Sequence, residues 1–325
     1  MRLRVTWPAP AGAANPQRGG VVSRASFDDI LGDPTKRYLS HRYRLVTHTI
    51  LAGSSAVDSL AASERRNVIG SVAYPDNWSE KPGGSMPPHL SSLDGLTLGA
   101  MLTCLRSRAG APTDDPAGPP VLTAIRIRAG ALPETDLEAV PVKWNEAIGS
   151  GKRLTNMRFG RMSVSTGVEA ASALPSLTDA AVERIGVQRW SNPSCSEARA
   201  TEIKSEIVGL DPAQGTLTSE HKAAESSNEL ALGYDDFLRL SAQAAQILIY
   251  SFDGVDRDVS TNVWMRSADF ALNPLAEFHD GPARMRSRIA GSRSLARGDT
   301  RFRTFDMEFE LDGLFACTAS LAYSA

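Results

Sequence analysis

Two long, largely apolar helical stretches, near 92–107 and 235–252, each follow β-branched strands and precede returning strands with alternating side chains. Together they predict an α+β protein in the form of a double hot dog, two curved antiparallel sheets each wrapping a long central helix. A helix that is hydrophobic over most of its surface must be covered by sheet on every side. No sequence repeat is visible, but the order of elements is the same in both halves, and two such units in one chain are equivalent to a dimer of single ones.

The 325 residues, 42% hydrophobic and 22% charged, can bury a substantial core. A formal charge of -2 and a pI near 6.2 provide no field that would gather nucleic acid or an anionic membrane surface. Cys104, Cys195 and Cys317 are odd in number and widely spaced, so they build neither a disulfide framework nor a CxxC metal site. That cysteine usage suits a reducing compartment. The start "MRLRVTWPAPAGAANPQRGG" lacks the apolar run of a signal peptide, and no stretch of spanning length follows, so the expected location is the cytoplasm.

Residues 1–25 are rich in Pro, Ala and Gly without period and read as a flexible leader. An N-terminal hot-dog domain is expected over 26–150 and a C-terminal one over 151–325. Ser26 caps a short helix that Gly32 stops. "YRLVTHTILA" (43–52) and "NVIGSVAY" (67–74) read as strands. "HLSSLDGLTLGAMLTCLRSRAG" is a buried helix, with Ser91 or Ser92 as cap, Asp94 at the positive end of the dipole and Arg106, Arg108 and Gly110 at the other. "VLTAIRIRAGAL" resumes as strand, 133–153 carries the composition of a linker, and "NMRFGRMSVSTGVEA" is strand again. Between 171 and 233 the pattern is weak: 176–190 favours helix, and 194–211 fits strand or helix. Phe237, Leu240, Ala244, Ile247 and Leu248 then share one helical face. At the C-terminus Phe305, Met307, Phe309 and Leu311 alternate with acids, and Asp312-Gly313 predicts a type I′ turn into a final strand over 314–323.

"SFDDILGDPTKRYLSHRYRLVTHTI", "VAYPDNWSEK" and "PHLSSLDGL" resemble the avirulence D (AvrD) family, whose members are linked to syringolide elicitors. The second half, with "LSAQAAQILIYSF" and the terminal hairpin, is similar to hot-dog proteins of the A-factor type that make γ-butyrolactone signals. The resemblance implies an enzyme that takes a β-ketoacyl chain from a thioester and joins it to a small polyol such as xylulose, by acyl transfer with an aldol-type condensation. A hot-dog dehydratase or thioesterase, and a non-catalytic acyl-binding module, are the alternatives.

Acyl transfer to an alcohol needs a base for the hydroxyl and donors for the thioester oxyanion. His89 is the candidate base, and the N–H groups near Ser92, Leu93 and Asp94 are the candidate donors, because a helix N-terminus favours negative charge. Asp94 suits orienting an imidazole or anchoring sugar hydroxyls, although capping alone explains an acid there. Gln243 is a candidate amide from the second helix; Gln243 and Gln246 sit in an apolar helix, where an unpaired amide costs about 1–3 kcal/mol, so at least one needs a partner. His48 lies on the buried face of its strand, able to line a pocket or simply to fill the core. Trp78 and Lys81 are placed to close over a ligand, Lys81 meeting a carrier phosphate, or to pin a Pro/Gly loop. Arg284, Arg286, Arg288, Arg293, Arg297 and Arg301 form the densest basic set, a docking face for an acidic acyl carrier protein or a solvated strand face. No nucleotide, nicotinamide or zinc motif occurs, and the scattered histidines suggest no metal, so no cofactor is expected. The oligomeric state expected is a monomeric double hot dog or a homodimer.

Overall fold

A computed structural model describes residues 24–40, 42–52, 68–76, 78–81, 84–85, 87–110, 120–149, 152–174, 202–223, 232–255, 262–273, 282–298 and 300–324. The chain opens with β1 (Ala25–Ser26) and α1 (Phe27–Leu31). The first half then supplies β2 (Thr47–Ala52), β3 (Val68–Ala73), the short pair β4 (Glu80–Lys81) and β5 (Gly84–Ser85), and helix α2 (Ser92–Gly110). It continues with β6 (Pro120–Arg128), β7 (Val140–Gly149), β8 (Lys152–Phe159) and β9 (Met162–Ala170). The second half supplies β10 (Ile203–Asp211), β11 (Thr216–Ala223), helix α3 (Tyr234–Asp253), β12 (Trp264–Leu272), β13 (Ala283–Arg297), β14 (Thr300–Leu311) and β15 (Phe315–Ser324).

The halves match strand for strand. One 13-stranded sheet runs β1-β10-β11-β13-β14-β15-β12-β6-β9-β8-β7-β3-β2, with antiparallel neighbours throughout. The first half is therefore ordered β2-β3-β7-β8-β9-β6 and the second β10-β11-β13-β14-β15-β12, joined where β6 pairs with β12. With a long helix after the second strand of each half, this is a double hot dog. Every residue of α2 from Leu93 to Cys104 is buried. In α3, from Tyr234 to Tyr250, only Ala242 and Gln246 are not.

Several boundaries differ from the sequence reading. The 133–153 stretch is no linker: β7 and β8 form a hairpin across it, from Val142↔Phe159 to Gly149↔Lys152. The first half therefore extends through β9, and a division at 150 cuts that hairpin; Pro141 and the glycines around 149–151 disguise a strand as a linker. Strand β2 starts only at Thr47, because Arg42–Leu45 forms a 3-10 turn. The ambiguous 194–211 region is strand over Ile203–Asp211, whereas 176–190 and the leader up to residue 23 lie outside the described residues. The terminal turn is as predicted, with Asp312 and Gly313 at φ 47° and 70° and Leu314 N–H closing on Leu311 O at 2.8 Å.

The basic set on β13 faces acids across the sheet. Arg284 pairs with Glu220 at 2.9 Å, Arg288 with Glu308 at 2.6 Å, Arg293 with Asp306 at 3.9 Å and Arg286 with Glu310 at 4.0 Å. These four arginines belong to a solvated, cross-strand-paired face rather than a basic patch.

Two devices tune the core. Gly95 and Gly99 let α2 lie against β9: a Cβ on Gly99 would stand 2.8 Å from Val164 Cγ1, and one on Gly95 would overlap Met162 Sδ. In an exposed helix Gly→Ala gains about 1 kcal/mol; Gly99→Ala is expected instead to lose about 1–3 kcal/mol by overpacking, measured by denaturant unfolding. On β11, His221 is fully buried between the hydroxyls of Ser219 and Ser205, both at 2.9 Å, and burial pushes its pKa down to about 3. The folded state therefore holds His221 neutral while the unfolded chain takes a proton below about pH 6.5. Stability should fall by about 1.4 kcal/mol per unit as pH drops from about 6.5 towards 3. His221→Gln should remove that component of the slope in denaturation curves run across this range.

Candidate active site

Helix α2 begins in a reciprocal cap. Ser91 Oγ accepts the Asp94 N–H at 3.1 Å, and Asp94 Oδ2 accepts the Ser91 N–H at 2.7 Å. Asp94 has no exposed surface, so its remaining lone pairs need donors from the protein. Its Oδ1 lies 2.8 Å from His48 Nε2 and accepts the Tyr38 hydroxyl at 3.1 Å. The Tyr74 hydroxyl donates to its Oδ2. Burial opposes the Asp94 charge, but the hydrogen bond and charge of His48, with the Ser91 and Tyr74 bonds, outweigh it and hold the carboxyl below its ordinary range. Burial, reinforced by that charge, keeps the Tyr38 and Tyr74 phenols protonated far above their usual range.

This network positions the loop ahead of the helix. The Tyr74 hydroxyl reaches the His89 carbonyl at 3.0 Å, and Tyr38 OH lies 2.8 Å from Ser91 Oγ. Aromatic rings continue outward: Trp78 packs on Tyr38 and Tyr74 with centroids 5.2 and 5.0 Å apart. The His89 ring stands between Trp78, at 5.5 Å, and Trp264, at 4.9 Å.

A cavity of about 410 Å³ opens in front of His89, within the usual range for small-molecule sites. The first turn of α2 (Ser91, Ser92, Leu93) borders it on one side and the Leu238–Gln246 stretch of α3 on another. Ala242 and Gln246, the incompletely buried residues of α3 between Tyr234 and Tyr250, both line it. Arg161, from the β8–β9 turn, and Arg266, on β12, stand exposed at its rim.

Of the residues read from sequence, His89, Trp78, Ser92, Gln243 and Gln246 line this cavity. Asp94 and His48 are buried behind it and act through Ser91, Tyr38 and Tyr74. The Gln243 amide is held in the fold: Oε1 accepts from Arg37 at 2.9 Å, and Nε2 donates to the Leu39 and Arg239 carbonyls at 3.2 and 3.3 Å. Both its hydrogens are used, so Gln243 in this state offers no donor to an oxyanion. Lys81 is on β4, and its side chain lies outside the described residues. Tyr38, Tyr74 and Trp264 are the site residues that sequence reasoning missed. Their only signal was the clustering of aromatics within the stretches resembling AvrD, and Trp264 had none.

The matching position in the second half is filled. Where α2 begins with Ser92, α3 begins with Tyr234, whose hydroxyl donates to the Leu122 carbonyl at 3.1 Å and whose ring packs on Phe315 at 4.9 Å. Among the described residues no group of three His, Cys, Asp or Glu is placed to hold a metal ion, and no helix is long and apolar enough to cross a membrane.

A double hot dog with its cavity at the first helix N-terminus is thus the class that fold and site define. The family described as Pseudomonas avirulence D protein (AvrD) matches residues 22–172 and 197–323, and the chain belongs to it. No curated protein matches. Among solved structures, a TesB protein of Mycobacterium avium subs paratuberculosis is 11% identical with a TM-score of 0.41, over 84% of this chain and 100% of that one. A hot-dog protein of unknown function from Alicyclobacillus acidocaldarius is 10% identical with a TM-score of 0.41, over 83% and 98%. The dehydratase domain of RzxB from Pseudomonas fluorescens is 10% identical with a TM-score of 0.39, over 76% and 93%.

Asp94→Ala would strand the His48, Tyr38, Tyr74 and Ser91 donors in the interior and is expected to cost about 3–5 kcal/mol. Because the folded pKa lies below the ordinary carboxylate range, the carboxylate stabilises the fold above the unfolded value, and the contribution is lost as pH falls through the folded value. Asp94→Asn should therefore flatten the acid limb of the stability–pH curve, as followed by thermal unfolding.

Proposed function

We propose that the protein is an enzyme that transfers a β-ketoacyl chain from a thioester to a small polyol of the xylulose type, on the way to a butenolide or syringolide-like product. The observation that carries this reading is the apolar cavity whose polar end combines His89 with the first turn of α2. The N–H groups of Ser92 and Leu93 have no acceptor within the helix, and with the helix dipole they suit the oxygen of a thioester that becomes negative on attack. His89 Nδ1 lies 3.3 Å from the Pro87 carbonyl, a contact that leaves Nε2 to act as base.

In this reading a polyol hydroxyl loses its proton to His89 as it attacks the thioester carbon. The tetrahedral intermediate places its charge on the α2 amides. Collapse breaks the C–S bond, and the departing sulfur takes the proton back from His89, so that an ester and a thiol result. The acidic methylene between the two carbonyls of the acyl group then gives up a proton and its carbon attacks the polyol's own carbonyl, whose oxygen takes up a proton; loss of that hydroxyl with the second methylene proton, as water, leaves the double bond of the butenolide. Tyr38 and Tyr74, kept protonated by burial, hold Ser91 and His89 in place. Arg161 and Arg266 at the rim suit an anionic carrier arm. In the dehydratase alternative His89 is the base and a carboxylate or amide comes from the second helix; the α3 residues lining the cavity offer no carboxylate, and of their amides Gln243 has both hydrogens bonded within the fold.

Purified protein given a β-ketoacyl pantetheine thioester and xylulose should yield an acylated polyol by mass spectrometry. Release of free acid alone would favour the thioesterase alternative. His89→Ala should lower turnover by about 10²–10⁴-fold while the protein stays folded, the loss in stability being limited to the ring's packing between Trp78 and Trp264.

A further inference from the structure

The cavity continues away from His89 as a channel between α3 and the inner face of the second sheet. Its walls follow regular spacings. Leu238, Ala242, Ala245 and Gln246 form one stripe of α3, about 12 Å long at the helical rise. Leu321, Ala319 and Cys317 line it from alternate positions of β15, about 14 Å at the strand rise. The direction is fixed by the register: Trp264, which touches His89, pairs with Ala322, so the series Leu321, Ala319, Cys317 runs from the reacting end inwards.

The width along that series is set by small side chains and then by an aromatic stop. Ala319 is opposite Ala268 on β12, and both line the channel. Although it sits on a face whose neighbours are buried, Ala319 is only partly so, as a residue facing empty space would be. One step deeper, Cys317 pairs with Phe309 on β14 and Phe270 on β12, and Phe309 lines the channel. Behind them Phe237 packs on Phe270 at 5.9 Å and stacks on Phe315 at 5.4 Å. The charged residues of the lining are Arg161 and Arg266 at the rim, half-buried Glu134, and Arg37, which is buried with its guanidinium on the Gln243 amide; β12, β14 and β15 add none beyond Arg266. Burial also holds the Cys317 thiol neutral, its pKa well above the usual value.

We propose that this channel holds the aliphatic tail of the acyl donor and measures its length, with Ala319 and Ala268 setting the width midway and Phe309 acting as the stop. The inference rests on the acyl-thioester reading of the cavity and adds the specificity of that site. A straight saturated tail fits such walls; a branched or polar one would meet the Ala pair or leave its polar groups unpaired. Until the tail reaches Phe309, each further methylene buried is worth about fourfold in affinity.

The test is calorimetric binding of straight-chain β-ketoacyl pantetheine thioesters of graded length to the full chain and to two variants. For the wild type, affinity should climb with length by about fourfold per methylene and then level off. Ala319→Leu projects into open space; it should move the levelling point to shorter chains and weaken the longest members by at least about tenfold. Phe309→Leu, chosen over Ala to preserve packing, should move it to longer chains. Thioesters that bind with the same length profile in all three proteins would overturn the channel assignment and leave the catalytic reading standing. Failure of every thioester to bind the wild type would overturn both.

Discussion

A carboxylate buried in the first turn of a helix is tolerated only if its lone pairs are filled. Asp94 fills them from four places: the Ser91 amide, the hydroxyls of Tyr38 and Tyr74, and His48 on β2. These donors lie 3 to 56 residues away in the chain. Satisfying one charge therefore forces the 33–46 segment, strand β2, the end of β3 and the loop carrying His89 into a single arrangement. The His89 ring inherits its position from a residue it does not touch, and the same network leaves the first α2 amides facing the cavity.

The duplicated architecture adds a second constraint. Two matching halves offer two helix N-termini, and the chain treats them differently. At α2 a small Ser92 leaves room, whereas at α3 the bulky Tyr234 fills the corresponding space and ties itself to β6. The second helix serves the first site instead. Arg239 donates to the Leu39 and Ser40 carbonyls at 3.1 and 2.9 Å, and Gln243 adds a bond to Leu39. The N-terminal segment is thereby clamped to the second half while Tyr38 and Tyr43 bind it to α2, Tyr43 through Thr97 at 2.7 Å. In the proposed reading one half supplies the reacting groups, and the other supplies the wall.

Where a single element decides its own structure, the sequence was legible. The two-residue alternation of 305–311 and the left-handed pair Asp312-Gly313 specify their hairpin locally, and the apolar helices specify a wrapped fold. Legibility failed where distant contacts decide. Residues 33–46 look like an approach to a strand, but their carbonyls are taken by side chains about 200 positions on. Strand β7 was hidden by Pro141 and by the glycines of its turn. At least one of Gln243 and Gln246 was expected to need a partner, and Gln243 has one, yet nothing in its neighbourhood pointed to Arg37. Tyr38 and Tyr74 were not singled out, since only the folded chain brings both hydroxyls to one carboxylate. Asp94 was read as a first-turn acid able to orient an imidazole, and it meets that of His48; its reach to Tyr38 and Tyr74 was not visible.

The central claim is that a thioester carbonyl lies at the N-terminus of α2 beside His89. The most direct measurement is a crystal structure with a β-ketoacyl pantetheine analogue in which an amide replaces the thioester. The account predicts the carbonyl oxygen within hydrogen-bonding distance of the Ser92 and Leu93 amides, with the tail running along α3 towards Phe309. An analogue bound elsewhere, or with its carbonyl away from the first turn of α2, would contradict it.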